Sequence, residues 1–152
     1  MTALRRATLA DAAAIRDLTR AAYAKWVPLI GREPLPMKVD YSVAVVGHII
    51  DVYEAGGRIA ALVETVPQGS HLLIENIAVS PDVQGKGIGN LLLDHAEAMA
   101  RALRLRELRL YTNAAFTSNL DFYARRGFQE FRREPFPLGG VTVYMRKMLE
   151  PA

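Results

Sequence analysis

Ala14, Ile15, Leu18 and Ala22 recur at helical spacing behind Thr8 and Asp11, either of which can cap a helix ending near Tyr23. Leu4 to Ala7, just upstream, fits a short strand. The pattern then breaks. Pro28, Pro34 and Pro36 crowd residues 26–37 together with Trp26, Gly31 and Met37, which predicts a loop with bulky apolar side chains. Asp40 caps a second helix that runs to about His48. Asp51 to Glu54 and Arg58 to Val66 form a hairpin around Gly56-Gly57, and the turn cluster Pro67 to Ser70 leads into His71 to Val79. That last run is mostly apolar, as expected of a strand central to a sheet. Pro81 stops it. Ile88 to Leu105 carries Leu91, Leu92, Ala96, Met99, Ala100 and Leu103 on one helical stripe, and Glu107 to Thr112 is the next strand. Thr117 or Ser118 caps a last helix that Gly127 ends, and Phe128 to Arg133 and Val141 to Met148 close the chain as strands. Strand, helix, strand in this order makes a parallel central pair with a right-handed crossover. The fold predicted is mixed α/β, a mostly antiparallel sheet flanked by helices, in one domain over residues 1–152.

Composition narrows what such a domain can do. With 152 residues, 51% hydrophobic and 23% charged, the chain can bury a core without staples. It has no cysteine, and its three histidines lack metal-ligand spacing, so thiolate and metal chemistry are not expected. No signal peptide or membrane-length apolar run is evident, so a cytoplasmic protein is expected. Nineteen basic against 16 acidic residues is a modest excess that suits a phosphate-bearing small molecule better than nucleic acid. A homodimer is left open.

Chemistry concentrates at Gln84-Gly85-Lys86-Gly87-Ile88-Gly89, between a strand and a helix. Free backbone amides at a helix N-terminus attract anions, glycines let the main chain approach closely, and Lys86 adds a cation facing either phosphate or solvent. Two nucleotide fingerprints fail here. Asn90 stands where the dinucleotide motif needs its third glycine, with Arg109 where its acidic ribose ligand belongs. Gly87 follows Lys86 where a phosphate-binding loop of nucleotide hydrolases needs Ser or Thr.

Gln84-x-x-Gly87-x-Gly89 after Ile77-Ala78-Val79-x-Pro81 resembles motif A of the GNAT superfamily of N-acetyltransferases, and Phe122 to Phe128 resembles its motif B. The resemblance covers most of the chain. It implies that acetyl-CoA is the co-substrate, with its pyrophosphate at residues 84–89 and its pantetheine arm beside Ile77, Ala78 and Val79 like an added strand. The family's usual asparagine seven residues before the motif B tyrosine is Phe116 here; Asn119, one turn before Tyr123, shares its helix face and can also reach the cofactor, or is simply solvated.

Acetylating an amine needs a base, since a lysine-like ammonium has a pKa of roughly 10.4. Strand alternation puts Glu75 on the face of Ile77 and Val79 unless a bulge intervenes, and its location resembles that of the family's frequent catalytic glutamate; a structural salt bridge is the competing role. His71, two alternations away, is a second candidate base. Tyr123 is the candidate acid for the departing thiolate, or else a core aromatic. Trp26, Met37 and Tyr41 can wall the acceptor pocket or merely cap the core, and no acidic cluster stands out to select a polyamine. The function expected is direct acetyl transfer, through a ternary complex, to a primary amine of a small molecule, amino acid or peptide. The alternatives are a protein N-terminal or lysine acetyltransferase, and a CoA-binding module without turnover.

Overall fold

A computed structural model describes residues 4–150. In chain order it comprises β1 (Arg5–Arg6), α1 (Ala12–Tyr23), α2 (Val27–Ile30), α3 (Tyr41–Gly47), β2 (Ile49–Ala55), β3 (Arg58–Pro67) and β4 (Leu72–Val79). Then follow α4 (Ile88–Ala102), β5 (Glu107–Asn113), α5 (Thr117–Arg125), β6 (Gln129–Pro135) and β7 (Val141–Met148). The strands form one seven-stranded sheet in the order β1-β2-β3-β4-β5-β7-β6, antiparallel throughout except for β4 against β5. The expected mixed α/β architecture with its central parallel pair is therefore the one observed.

Each face of the sheet carries its own core. On one, Leu92, Leu93, Ala96 and Ala100 of α4 lie against Leu72, Ile74, Leu108 and Val143; on the other, Ile15, Leu18, Tyr41 and Ala44 of α1 and α3 cover Ile50, Val52 and Leu62. Each fully buried leucine contributes about 1.5–3 kcal/mol relative to exposure.

Two local readings are corrected. Residues 26–37 are not irregular throughout: Val27–Ile30 is a helical turn and Leu35–Lys38 a 3₁₀ turn. Pro28 and Pro36 stand in the first turns of these, where no amide partner is lost, and Gly31 ends α2 at φ 73. The cap of α5 is also displaced, because Thr117 is already helical and the N-cap position is Phe116, without a side-chain acceptor. Gly127 does follow α5 in the left-handed region, at φ 93.

What positions the site is an irregularity of β4 on both its edges. Toward β3 the register slips: Glu64 pairs with Asn76 but Thr65 with Ile74, so Glu75 is the extra residue of a bulge. Toward β5 the pairing covers only Leu72–Ile74 against Leu108–Leu110, after which the two strands separate. From Glu75 onward one edge of a central strand has no strand beside it.

Candidate active site

The bulge inverts the alternation of β4. Ile77 and Val79 pack on the α4 side with Leu72 and Ile74, whereas Ala78 joins the α1 and α3 core. The condition attached to the expected face of Glu75 is thus met: Glu75 turns away from Ile77 and Val79 and accepts a hydrogen bond from the Tyr111 hydroxyl at 2.6 Å.

Two cavities flank the open edge of β4. The first, of about 370 Å³, lies between Ile77–Val79, the glycine loop, Asn119, Phe122 and Tyr123 of α5, and Tyr23 and Trp26. Gly85 and Gly87 both stand at φ 79, a conformation that side chains rarely adopt. The Leu91 amide reaches the Gly87 carbonyl at 3.2 Å to start α4, which leaves the amides of the preceding turn without intrahelical acceptors. Gly89 lines the cavity too and has a second role. A Cβ there would meet the Phe122 ring at 3.1 Å, so its bareness lets α5 close on α4. Gln84 donates from Nε2 to the Val79 carbonyl at 3.1 Å, tying the loop to the strand end. Lys86 is exposed and does not line the cavity.

Tyr123 is buried between Phe122 and Phe128, with ring centroids 5.5 and 5.8 Å away. Burial pushes its hydroxyl up to about 12, so it keeps its proton at any ordinary pH and can donate it in a hydrogen bond.

The second cavity, of about 460 Å³, opens on the opposite side of the shared wall. Its sheet side carries Glu64, Glu75, Asn76 and Tyr111; its outer side is made by the residues after α2 and by the β6–β7 turn. Glu64 is held by His48 Nδ1 at 2.6 Å, and burial raises its carboxyl pKa even though His48 pulls the other way. Tyr41 donates to the Pro36 carbonyl at 2.7 Å and accepts from Asn76 Nδ2 at 3.3 Å; burial pushes its hydroxyl up to about 12. Tyr23 lines both cavities and donates to Asn76 Oδ1 at 2.7 Å. Beside it Trp26, in the first cavity, stacks on Phe116, in the second, with centroids 4.3 Å apart and planes at 17°.

The sequence-derived candidates therefore fall into separate places. Gln84, Gly85, Gly87, Ile88, Gly89, Asn119, Tyr123 and the strand Ile77–Val79 share the first cavity with Trp26, while Glu75 and Tyr41 share the second. Met37 is buried and lines neither. His71 also lines neither; it sits beside Ser70 Oγ at 2.9 Å, its pKa lowered by burial. Glu64, Asn76, His48 and Tyr111 are additions of the structure. A carboxylate and an amide inside the apolar runs Ile59–Val66 and Leu72–Val79 were the available signal for the first two. An acidic pair does exist, formed by Glu64 and Glu75 from neighbouring strands.

Comparison with known proteins bears on these cavities. Residues 14–128 match the model of the Acetyltransferase (GNAT) family. An uncharacterized N-acetyltransferase of Chlorobaculum tepidum is 31% identical over 142 residues, which span 90% of this chain and 81% of that one. Mouse N-alpha-acetyltransferase 80 is 37% identical over 70 residues, 46% of this chain but only 21% of that protein's length. Among solved structures, the PaiA N-acetyltransferase of Thermoplasma acidophilum in complex with coenzyme A superposes with a TM-score of 0.81 at 17% identity, covering 97% of this chain and 99% of that one. At that identity the likeness speaks for the fold.

Proposed function

This chain belongs to the acetyltransferase (GNAT) family, and from that premise we propose that it transfers the acetyl group of acetyl-CoA directly to a primary amine of a small molecule, amino acid or peptide. The observation that carries the reading is the unpaired edge of β4 running into the free amides of the glycine loop, with a second cavity across one shared wall.

In this reading the amides of the Gly85–Gly89 turn take the pyrophosphate, favoured by the positive end of α4. Amides of the pantetheine arm hydrogen-bond along Asn76–Val79, replacing the strand that β5 does not supply. The acceptor ammonium enters the second cavity and gives a proton to Glu75, directly or through water. Glu75 passes that proton on to solvent. The nitrogen attacks the thioester carbonyl to form C–N as C–S breaks, and the surplus proton then on the nitrogen goes to the regenerated carboxylate or to water. Tyr123 donates a hydrogen bond to the departing sulfur. A hydroxyl at about 12 does not hand its proton outright to a thiolate whose own pKa is roughly 8.5, so the thiol draws its proton from solvent.

Thiol release from acetyl-CoA with a panel of primary amines tests this. Turnover is expected with at least one amine, and Tyr123→Phe should lower kcat about 10-fold or more while leaving CoA affinity in place. If CoA raises the melting temperature but no amine is acetylated, the chain is a CoA-binding module instead.

A further inference from the structure

The second cavity is electrically divided. On its sheet side Glu75 carries a carboxylate whose partner is a neutral hydroxyl, that of Tyr111, while the neighbouring Glu64 is held by His48. On its outer side stand Arg32 and Lys38, from the segment joining α2 to α3. The acid of that segment, Glu33, is turned away and taken by Arg20 at 2.7 Å. Arg32 instead lies over the Phe136 ring at 5.1 Å and donates to the Gly139 carbonyl at 3.4 Å, so it spans from the α2–α3 segment to the β6–β7 turn. Among the described residues neither Arg32 nor Lys38 has an acidic partner. Apolar side chains, Ile30, Leu35 and Phe116 among them, line the same cavity. An uncompensated carboxylate at one end and two uncompensated cations at the other, in a half-enclosed apolar cavity, form a field that a neutral or purely cationic guest would not satisfy.

We propose that the acceptor is an amine that also bears an anionic group, its ammonium seated at Glu75 and its anion at Arg32 and Lys38, with an apolar body between. The assignment rests on the acetyl-transfer reading for the identity of the guest as an acceptor, but the charge pattern makes its own demand. Arg32 and Lys38 act on specificity: they hold the far end of the acceptor and touch no reacting atom. An amine lacking the anion leaves both cations facing an apolar guest, whereas a diamine places a second cation beside them.

The test uses matched acceptors with the charges at opposite ends, 6-aminohexanoate against pentylamine and 8-aminooctanoate against heptylamine, with ω-aminoalkylphosphonates to separate carboxylate from phosphonate and cadaverine as a diamine. The native protein should acetylate the anion-bearing member of a pair with kcat/KM about 10-fold or more above its partner. In the doubly substituted Arg32→Ala, Lys38→Ala protein that advantage should vanish through KM, with kcat for the plain amine kept within about twofold. Arg32→Glu with Lys38→Glu should move the preference to cadaverine. Plain amines acetylated as well as anionic ones by the native protein, or both classes losing equally in the variants, would overturn the proposal. Should no acceptor turn over, the acetyl-transfer reading fails by itself. The proposal is then read from thermal shift with CoA present: stabilisation by the anion-bearing amine that disappears in the alanine variant sustains it, and none in either protein overturns it.

Discussion

The two cavities are built of different material. The first is a backbone site: its distinguishing groups are amides freed by the turn before α4 and a strand edge left bare where β4 and β5 part. The second is a side-chain site, in which Glu64, Glu75, His48, Tyr111 and Arg32 converge from five separate segments of the chain. A backbone site needs only that certain residues stay small, so it leaves a compact local signature. A side-chain site needs a fold to assemble it. In the proposed function the first cavity therefore takes the co-substrate shared across the architecture, and the second is where individual acceptors would be told apart.

Gly87→Val should break the first cavity without touching the second, and it is expected to have the largest effect. At φ 79 a β-branched residue is strained, yet a Cβ there meets nothing within 4 Å, so the cost falls on the loop course rather than on packing. Affinity for CoA, read by calorimetry, should fall about 10- to 100-fold, while the melting temperature without ligand moves by only a few degrees. Unchanged affinity would mean that the turn of amides does not hold the pyrophosphate.

Glu75→Gln is the converse substitution. Glutamine preserves the size of the side chain and an oxygen for the Tyr111 hydroxyl, removing only the charge and the basicity. The expected outcome is a fall of about 10-fold in kcat/KM for the acceptor, at the low end of acid–base effects, with CoA affinity kept within about twofold. Equal losses in both would mean that the two cavities are one cooperative unit.

How much of this was legible in the sequence follows the same division. The helical stripe of α4, the apolar run of β4 and the glycine loop are local patterns, and each led to a helix, a strand or a turn at its expected place. Gly89 lines the first cavity with its neighbours, but spacing alone could not show that its bareness also makes room for Phe122, 3.1 Å from where a Cβ would stand. The bulge at Glu75 left no mark, since Leu-Leu-Ile-Glu-Asn-Ile is as compatible with regular alternation as with a slip; the slip is set by pairing with β3. Trp26 and Met37 were grouped with Tyr41 by proximity in sequence, but the short helical turns at Val27–Ile30 and Leu35–Lys38 send the three side chains to different places. Pairings such as Glu64 with His48, 16 residues apart, exist only once β3 and α3 have docked.

The smallest expected effect is on pH dependence, and it separates the cavities by sign. In the first, Tyr123 is raised from 10.0 to about 12, so its contribution to stability is complete below pH 10 and fades only as pH climbs between those values. Nothing in it should be visible under mildly acidic or neutral conditions. In the second, burial raises the carboxyl of Glu64 above its ordinary 4.5, so the folded state holds this proton more tightly than the unfolded chain. That contribution is complete below pH 4.5 and is lost as pH rises through the folded value. Glu64→Gln removes the titration. The melting temperature of the variant relative to the native protein should therefore climb with pH from about 4.5 upward, by a few degrees at most, and then level off. Tyr123→Phe measured over the same range should show a constant offset. A Glu64→Gln difference that is flat, or that falls as pH rises, would mean that the His48 pairing outweighs burial and that the acidic side of the second cavity is stabilised as a charged pair.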